Sequence, residues 1–130
     1  MAWDNRECIN KVLYDLENIS FKDKNILITG GAGFLGSWIC DALIANGAEI
    51  ICLDNISSGL RSNISHLIDS DGFRFIEHDI TKPISFNEHI DLVIHMASRA
   101  SPFEFEHYPI EILKANTIGF EAILCTICSV

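Results

Sequence analysis

Thr29-Gly30-Gly31-Ala32-Gly33-Phe34-Leu35-Gly36 is the stretch on which the fold turns. It follows the apolar run Ile26-Leu27-Ile28 and opens a segment, Phe34 to Asn46, with the patterning of a helix stopped by Asn46-Gly47. Gly31, Gly33 and Gly36 satisfy a G-x-G-x-x-G spacing, and Gly30, Gly33 and Gly36 satisfy the related G-x-x-G-x-x-G spacing. Glycine serves three purposes in such a turn. One makes the tight bend, one lets backbone N–H groups approach a pyrophosphate, and one lets helix and strand pack closely. The first amides of the helix, here those of Phe34, Leu35 and Gly36, then face the anion together with the positive end of the helix dipole. A plain Gly-rich turn carries the same letters, so the reading depends on what surrounds it.

Outward from the turn, apolar runs alternate with helical patterns. Ile50-Ile51-Cys52-Leu53, Phe73-Arg74-Phe75-Ile76 and Leu92-Val93-Ile94-His95-Met96 read as three further strands. Leu60, Ile64, Leu67 and Ile68 mark a second helix face, and the chain is helical again from about Ile110. Continuous apolar strands separated by helices predict a parallel sheet covered on both faces. Right-handed crossovers make it an α/β, Rossmann-type doubly wound sheet of about four strands, order 3-2-1-4. Residues 1–23 form an N-terminal extension. In it, Ile9, Val12, Leu13, Leu16 and Ile19 form the stripe of an amphipathic helix spanning residues 4 to 19. Residues 24–130 form the dinucleotide-binding domain.

Asp54 closes the second strand, about 20 residues after the glycine turn. A carboxylate there accepts hydrogen bonds from both adenosine ribose hydroxyls and repels a ribose 2′-phosphate, which favours NAD over NADP. A solvated strand-end aspartate is the plain alternative, and Arg61 is the nearest cation that could admit NADP. The formal net charge of −9 argues against nucleic acid and anionic membrane as partners. No apolar stretch reaches the length of a membrane span, and the N-terminus has no signal-peptide pattern, so a cytoplasmic location is expected. The five cysteines lack framework spacing and read as reduced thiols. Cys125 and Cys128 have redox spacing but lie in an apolar helical run. The histidines fit no metal-ligand spacing, so no metal site is expected.

Five blocks together carry a family resemblance: TGGAGFLG at 29–36, LDN at 53–55, HDI at 78–80, HMAS at 95–98 and LKANTIG at 113–119. They resemble the extended branch of the short-chain dehydrogenase/reductases, the NAD-dependent epimerases and dehydratases of nucleotide sugars. The combination of DNISSG, HDITKPI, HMASRASP and YPIEILKANTIG is most similar to the UDP-glucuronate decarboxylases within that branch, followed by the dTDP-glucose dehydratases and UDP-glucose epimerases. Arg99 departs from the decarboxylase pattern, which usually carries proline there.

The resemblance implies bound NAD, a nucleotide-sugar substrate and transient oxidation of the sugar at C4. It implies that Asp54 and Asn55 meet the adenosine ribose and that Asp79 and the Ile80 amide meet adenine. Ala97 and Ser98 would line the passage towards the nicotinamide ribose, with Asn116 near the cofactor. On the residues alone, Asp79 could equally be a turn residue before Thr81-Lys82-Pro83, and Asn116 a satisfied polar group on a helix. The family's oxidation uses a Tyr-x-x-x-Lys pair, which lowers the tyrosine pKa. None occurs here: Asn18 follows Tyr14, and Ile112 follows Tyr108, at that spacing. The expectation is a chain truncated before that pair and before the substrate domain, catalytically silent alone, or else a stand-alone NAD-binding module. The fourth strand would then be an unpaired apolar edge through which Asp91–Met96 self-associates.

Overall fold

The four apolar runs pair into one parallel sheet in the computed structural model, which describes residues 6–128. Strands β1 (Asn25–Thr29), β2 (Glu49–Asp54), β3 (Phe73–Glu77) and β4 (Leu92–His95) lie in the order β3-β2-β1-β4. Thr29 stands opposite both Leu53 and His95, so the carboxyl ends of the three adjacent strands finish level.

Alternate residues of each strand serve opposite faces. Ile26, Ile28, Ile50 and Cys52 join Cys40 and Leu43 of helix α2 (Phe34–Ala45) in one core. Leu27, Ile51 and Leu53 join Ile80, Phe86 and, from helix α5 (Phe120–Ile127), Ile123 in the other. Both faces of the central strands are therefore dry, which explains why their sequences are apolar without alternation.

Helix α1 (Arg6–Asp15) packs beside α2 and buries Ile9. It is shorter than the expected amphipathic helix. Leu13 and Leu16 are half-buried, Val12 and Ile19 are exposed, and residues 4 and 5 lie outside the described residues. Past Asp15 the backbone tightens, with the amide of Glu17 donating to the Tyr14 carbonyl and that of Ile19 to the Leu16 carbonyl. Phe21 then packs against the α2-side core, and its N–H donates to Asn46 Oδ1 at 2.7 Å.

The helix expected on Leu60, Ile64, Leu67 and Ile68 is replaced by a 3₁₀ turn, Arg61–Asn63, and a run of turns. Ile64 and Leu67 are buried, but Leu60 and Ile68 are exposed. Local polar groups explain the change. Asn63 Nδ2 donates to the Ala32 carbonyl at 2.9 Å and Ser65 Oγ to the Ser62 carbonyl at 3.1 Å, bonds that compete with a helical ladder.

Beyond β4 the chain forms α3 (Pro102–His107), which the sequence reading did not include, then α4 (Pro109–Lys114), a π-helical turn (Ala115–Gly119) and α5. A serine N-cap starts α3: Ser101 Oγ accepts from the Glu104 amide at 3.2 Å and donates to Glu104 Oε2 at 3.0 Å. The helical stretch expected from Ile110 is present, with the π turn inserted in it. Among the described residues no helix is long and apolar enough to cross a membrane.

Candidate functional site

At the carboxyl end of β1 the chain has to reverse into α2 beneath β4, and Gly30 makes that possible. Its φ of +73° is left-handed, and a Cβ there would stand 2.5 Å from the Met96 carbonyl oxygen. Gly36 is equally constrained, since its Cβ would fall 2.3 Å from the Gly30 oxygen. Gly31 faces downward, where a Cβ would meet Cys52 Sγ at 2.4 Å. Below it the Cys40 thiol is pushed far above its ordinary pKa by its hydrogen bond with Cys52 and by burial, so it stays protonated. Gly33 is different. A Cβ there would meet only the Gly30 oxygen, at 3.1 Å. Gly33 is also the N-cap of α2, and no side chain caps that helix start.

A cleft of about 360 Å³ opens over this turn. Gly30, Gly33, Asp54, Asn55, Asp79, Ile80, Ala97 and Ser98 all line it. The sequence had singled out these eight residues from four separate blocks, and the sheet topology brings them to one place. The others stand outside the lining. Gly31 and Gly36 pack beneath the turn, while Phe34 and Leu35 expose their side chains at the start of α2. Asn116, in the π turn, donates from Nδ2 to Ser98 Oγ at 2.7 Å and to the Ile112 carbonyl at 2.9 Å, so it backs the lining.

Asp54 is buried and ties the turn to its own strand end. Oδ2 accepts from the Ala32 amide at 3.0 Å and Oδ1 from the Ile56 amide at 2.8 Å. The Ala32 carbonyl in turn accepts from the Leu60 amide at 3.0 Å and from Asn63 Nδ2. Ile56 adopts a φ of +55°, which is rare for a β-branched residue and marks a strained loop. Asp79 is a turn residue as well as a lining residue, since Oδ1 accepts from the Thr81 amide at 2.9 Å and the Thr81 hydroxyl at 2.8 Å. Burial raises its pKa, but the Thr81 hydrogen bonds and the charges of Lys82 and His78 hold the carboxyl below the usual range.

Thr29 fixes the opposite wall. Its Oγ1 lies 3.2 Å from the Met96 amide and 3.3 Å from the Ala97 amide, and accepts from both. Its proton is then committed to His95 Nδ1, at 2.8 Å, which leaves His95 as the Nε2–H tautomer. Burial lowers the His95 pKa, the Ala115 backbone opposing it only in part. The imidazole lies against Phe120, its ring centroid 5.0 Å away, and acts as a neutral packing group.

Sequence reasoning missed Ser57, Ser58, Gly59, Lys82, Arg99 and Glu111, which also line the cleft. The available signals were the Ser-Ser-Gly run after Asn55-Ile56 and the departure at Arg99 from the decarboxylase pattern. A Cβ at Gly59 would stand 3.0 Å from Asp54 Oδ2. Arg61 does not reach the cleft lining. It pairs with Glu77 at 2.6 Å and lies over the Phe75 ring.

The NAD dependent epimerase/dehydratase family matches residues 26–129. The chain belongs to that family. Among its relatives is UDP-glucuronic acid decarboxylase 1 of Danio rerio, 44% identical over 102 residues, which cover 78% of this chain and 24% of the relative. Among solved structures, the epimerase Mth375 of Methanothermobacter thermautotrophicus aligns with a TM-score of 0.70 and 31% identity over 80% of this chain and 31% of its own. The Bordetella bronchiseptica enzyme WbmF, solved in complex with NAD+, aligns with a TM-score of 0.69 and 27% identity over 78% and 31%. This family member thus spans about a quarter of the curated relative. The four-stranded parallel sheet and its order agree with the Rossmann-type arrangement expected from the sequence.

Proposed function

We propose that this chain is the NAD-binding portion of a nucleotide-sugar-modifying enzyme, of the decarboxylase, dehydratase or epimerase kind and nearest to UDP-glucuronate decarboxylases. The observation that carries the proposal is the pairing, in one cleft, of Gly33 at an uncapped helix start with the buried carboxylate of Asp54. The two suit the two ends of an adenosine diphosphate. The helix start offers N–H donors and room for a diphosphate, and the carboxylate offers acceptors for ribose hydroxyls. Asp79 and Ile80 stand where adenine would lie. Ala97 and Ser98, held by Thr29 and Asn116, guide the chain of the ligand past β4. Arg61, the cation that could admit NADP, pairs with Glu77 and stands outside the lining, so the repulsion between Asp54 and a 2′-phosphate supports NAD over NADP.

NAD, when bound, supplies a hydride acceptor for a sugar C4 hydroxyl. This sequence holds no Tyr-x-x-x-Lys to take the hydroxyl proton, so the chain alone binds cofactor without turnover. We place it in the cytoplasm, a reading in keeping with its free cysteines.

Calorimetric titration with NAD and NADP, on wild type and Asp54→Asn, tests this reading. Saturable NAD binding, about tenfold weaker in the variant, with NADP the poorer ligand of wild type, is the expected result. Absence of NAD binding, or a preference for NADP, would overturn it.

A further inference from the structure

Arg99 takes no part in the reading above, yet it lines the same cleft. Its guanidinium makes three contacts. Nη1 pairs with Glu104 Oε1 at 3.0 Å, Nη2 donates to the Ser57 carbonyl at 3.2 Å, and the Tyr108 ring lies 4.4 Å from Cζ. The side chain is only 20% exposed. Arg99 lies just past the end of β4, and Ser57 just past the end of β2. In the sheet β1 lies between those two strands. The Arg99–Ser57 hydrogen bond therefore crosses the carboxyl end of β1, above the glycine turn and the uncapped start of α2.

The three contacts are unequal. The ion pair and the ring stack hold the guanidinium in place from the α3 side, and the Ser101 cap that starts α3 holds Glu104. The third contact is one neutral carbonyl on an exposed loop. A phosphate oxygen would bind the same N–H edge more strongly, because both partners would then be charged and the planar fork suits phosphate. The cleft lining sets the carboxylates of Asp54, Asp79 and Glu111 against the cations Lys82, Lys114 and Arg99, and of these Arg99 is the one whose hydrogen bond crosses the end of β1.

We propose that Arg99 clamps the diphosphate of a bound dinucleotide, keeping Glu104 and Tyr108 and exchanging the Ser57 carbonyl for a phosphate oxygen. This proposal rests on the dinucleotide reading of the cleft and adds a cation to it. The same diphosphate chemistry occurs in nucleotide sugars, so UDP is titrated separately.

The test compares wild type, Arg99→Met and Arg99→Lys by calorimetry with NAD and with UDP at two salt concentrations. Adenosine, which lacks phosphate, is followed by NMR. Methionine keeps an apolar stem against Tyr108, and circular dichroism checks the fold. The expected result is a loss of NAD affinity of about ten- to a hundredfold in Arg99→Met, with adenosine binding unchanged. The salt dependence of NAD binding should flatten in Arg99→Met, and Arg99→Lys should regain part of the loss. NAD affinity within twofold of wild type in Arg99→Met would overturn the clamp. Equal losses for NAD and adenosine would overturn it in favour of a structural strap. A loss confined to UDP would assign Arg99 to the nucleotide sugar instead. If wild type binds no NAD, the dinucleotide reading falls and the clamp falls with it; if wild type binds and Arg99→Met is unaffected, the clamp alone falls.

Discussion

Gly30 and Gly33, three residues apart, are glycine for different physical reasons. Gly30 is held by its left-handed backbone and by the Met96 carbonyl 2.5 Å from where a Cβ would be, whereas at Gly33, with φ −70°, a Cβ would press only on the Gly30 oxygen, at 3.1 Å. Gly30→Ala should therefore destabilise the fold by about 2–4 kcal/mol, combining left-handed strain with overpacking. Gly33→Ala should cost about 1 kcal/mol or less, the difference between glycine and alanine at an N-cap, while placing a methyl group where a diphosphate must approach. Urea denaturation and NAD titration of both variants separate the two effects. A Gly33→Ala protein that binds NAD as wild type does would show that the ligand does not approach the helix start. Spacing alone had marked both positions, since a turn motif is local. It gave no sign that Arg99 and Ser57 meet, since they lie far apart in sequence and come together only because β1 inserts between β2 and β4.

The elements were unequally legible for a related reason. Strands at the centre of a parallel sheet are dry on both faces, so Ile26-Leu27-Ile28 and Ile50-Ile51-Cys52-Leu53 announce themselves as unbroken apolar runs. The β2–β3 crossover misled because Leu60, Ile64, Leu67 and Ile68 fit helical spacing, although side-chain bonds from Asn63 and Ser65 favour turns. The two architectures differ in which residues matter. With the turns, Ile64→Ala and Leu67→Ala should each cost about 2–4 kcal/mol, as buried truncations do, and Leu60→Ala and Ile68→Ala no more than about 0.5 kcal/mol. A helix with one buried face would make all four costly. Denaturant midpoints of the four alanine variants distinguish the cases. The serine cap at Ser101-Pro102-Phe103-Glu104 could have been read from the sequence, because its Ser-x-x-Glu signature is four residues long and local.

At the scale of the molecule, β4 stands at one end of the described sheet, with β1 on its inner side and Leu92 exposed. An apolar strand edge of this kind templates pairing with another chain. The chain should self-associate as its concentration rises in sedimentation experiments, and Leu92→Lys should hold it monomeric; a wild type that remains monomeric throughout would count against the edge. The other side of the sheet depends on rotation. An α-helix turns about 100° per residue, and the π-helical turn at Ala115–Gly119 carries one extra residue into an otherwise regular succession. That extra residue sets the phase in which α5 arrives at the sheet, with Ile123 inward and the Thr126 hydroxyl shared between the Ala122 carbonyl at 2.8 Å and the Ile84 carbonyl at 3.0 Å. Were the same five residues wound as regular α-helix, α5 would arrive about one residue further round, with Ala122 in the seat of Ile123 and Cys125 in that of Thr126. The seat would hold only a methyl group, and the hydroxyl tie to the Ile84 loop would be gone. The turn thus works as a vernier, setting the one phase in which the larger apolar side chain and the hydroxyl both meet their seats.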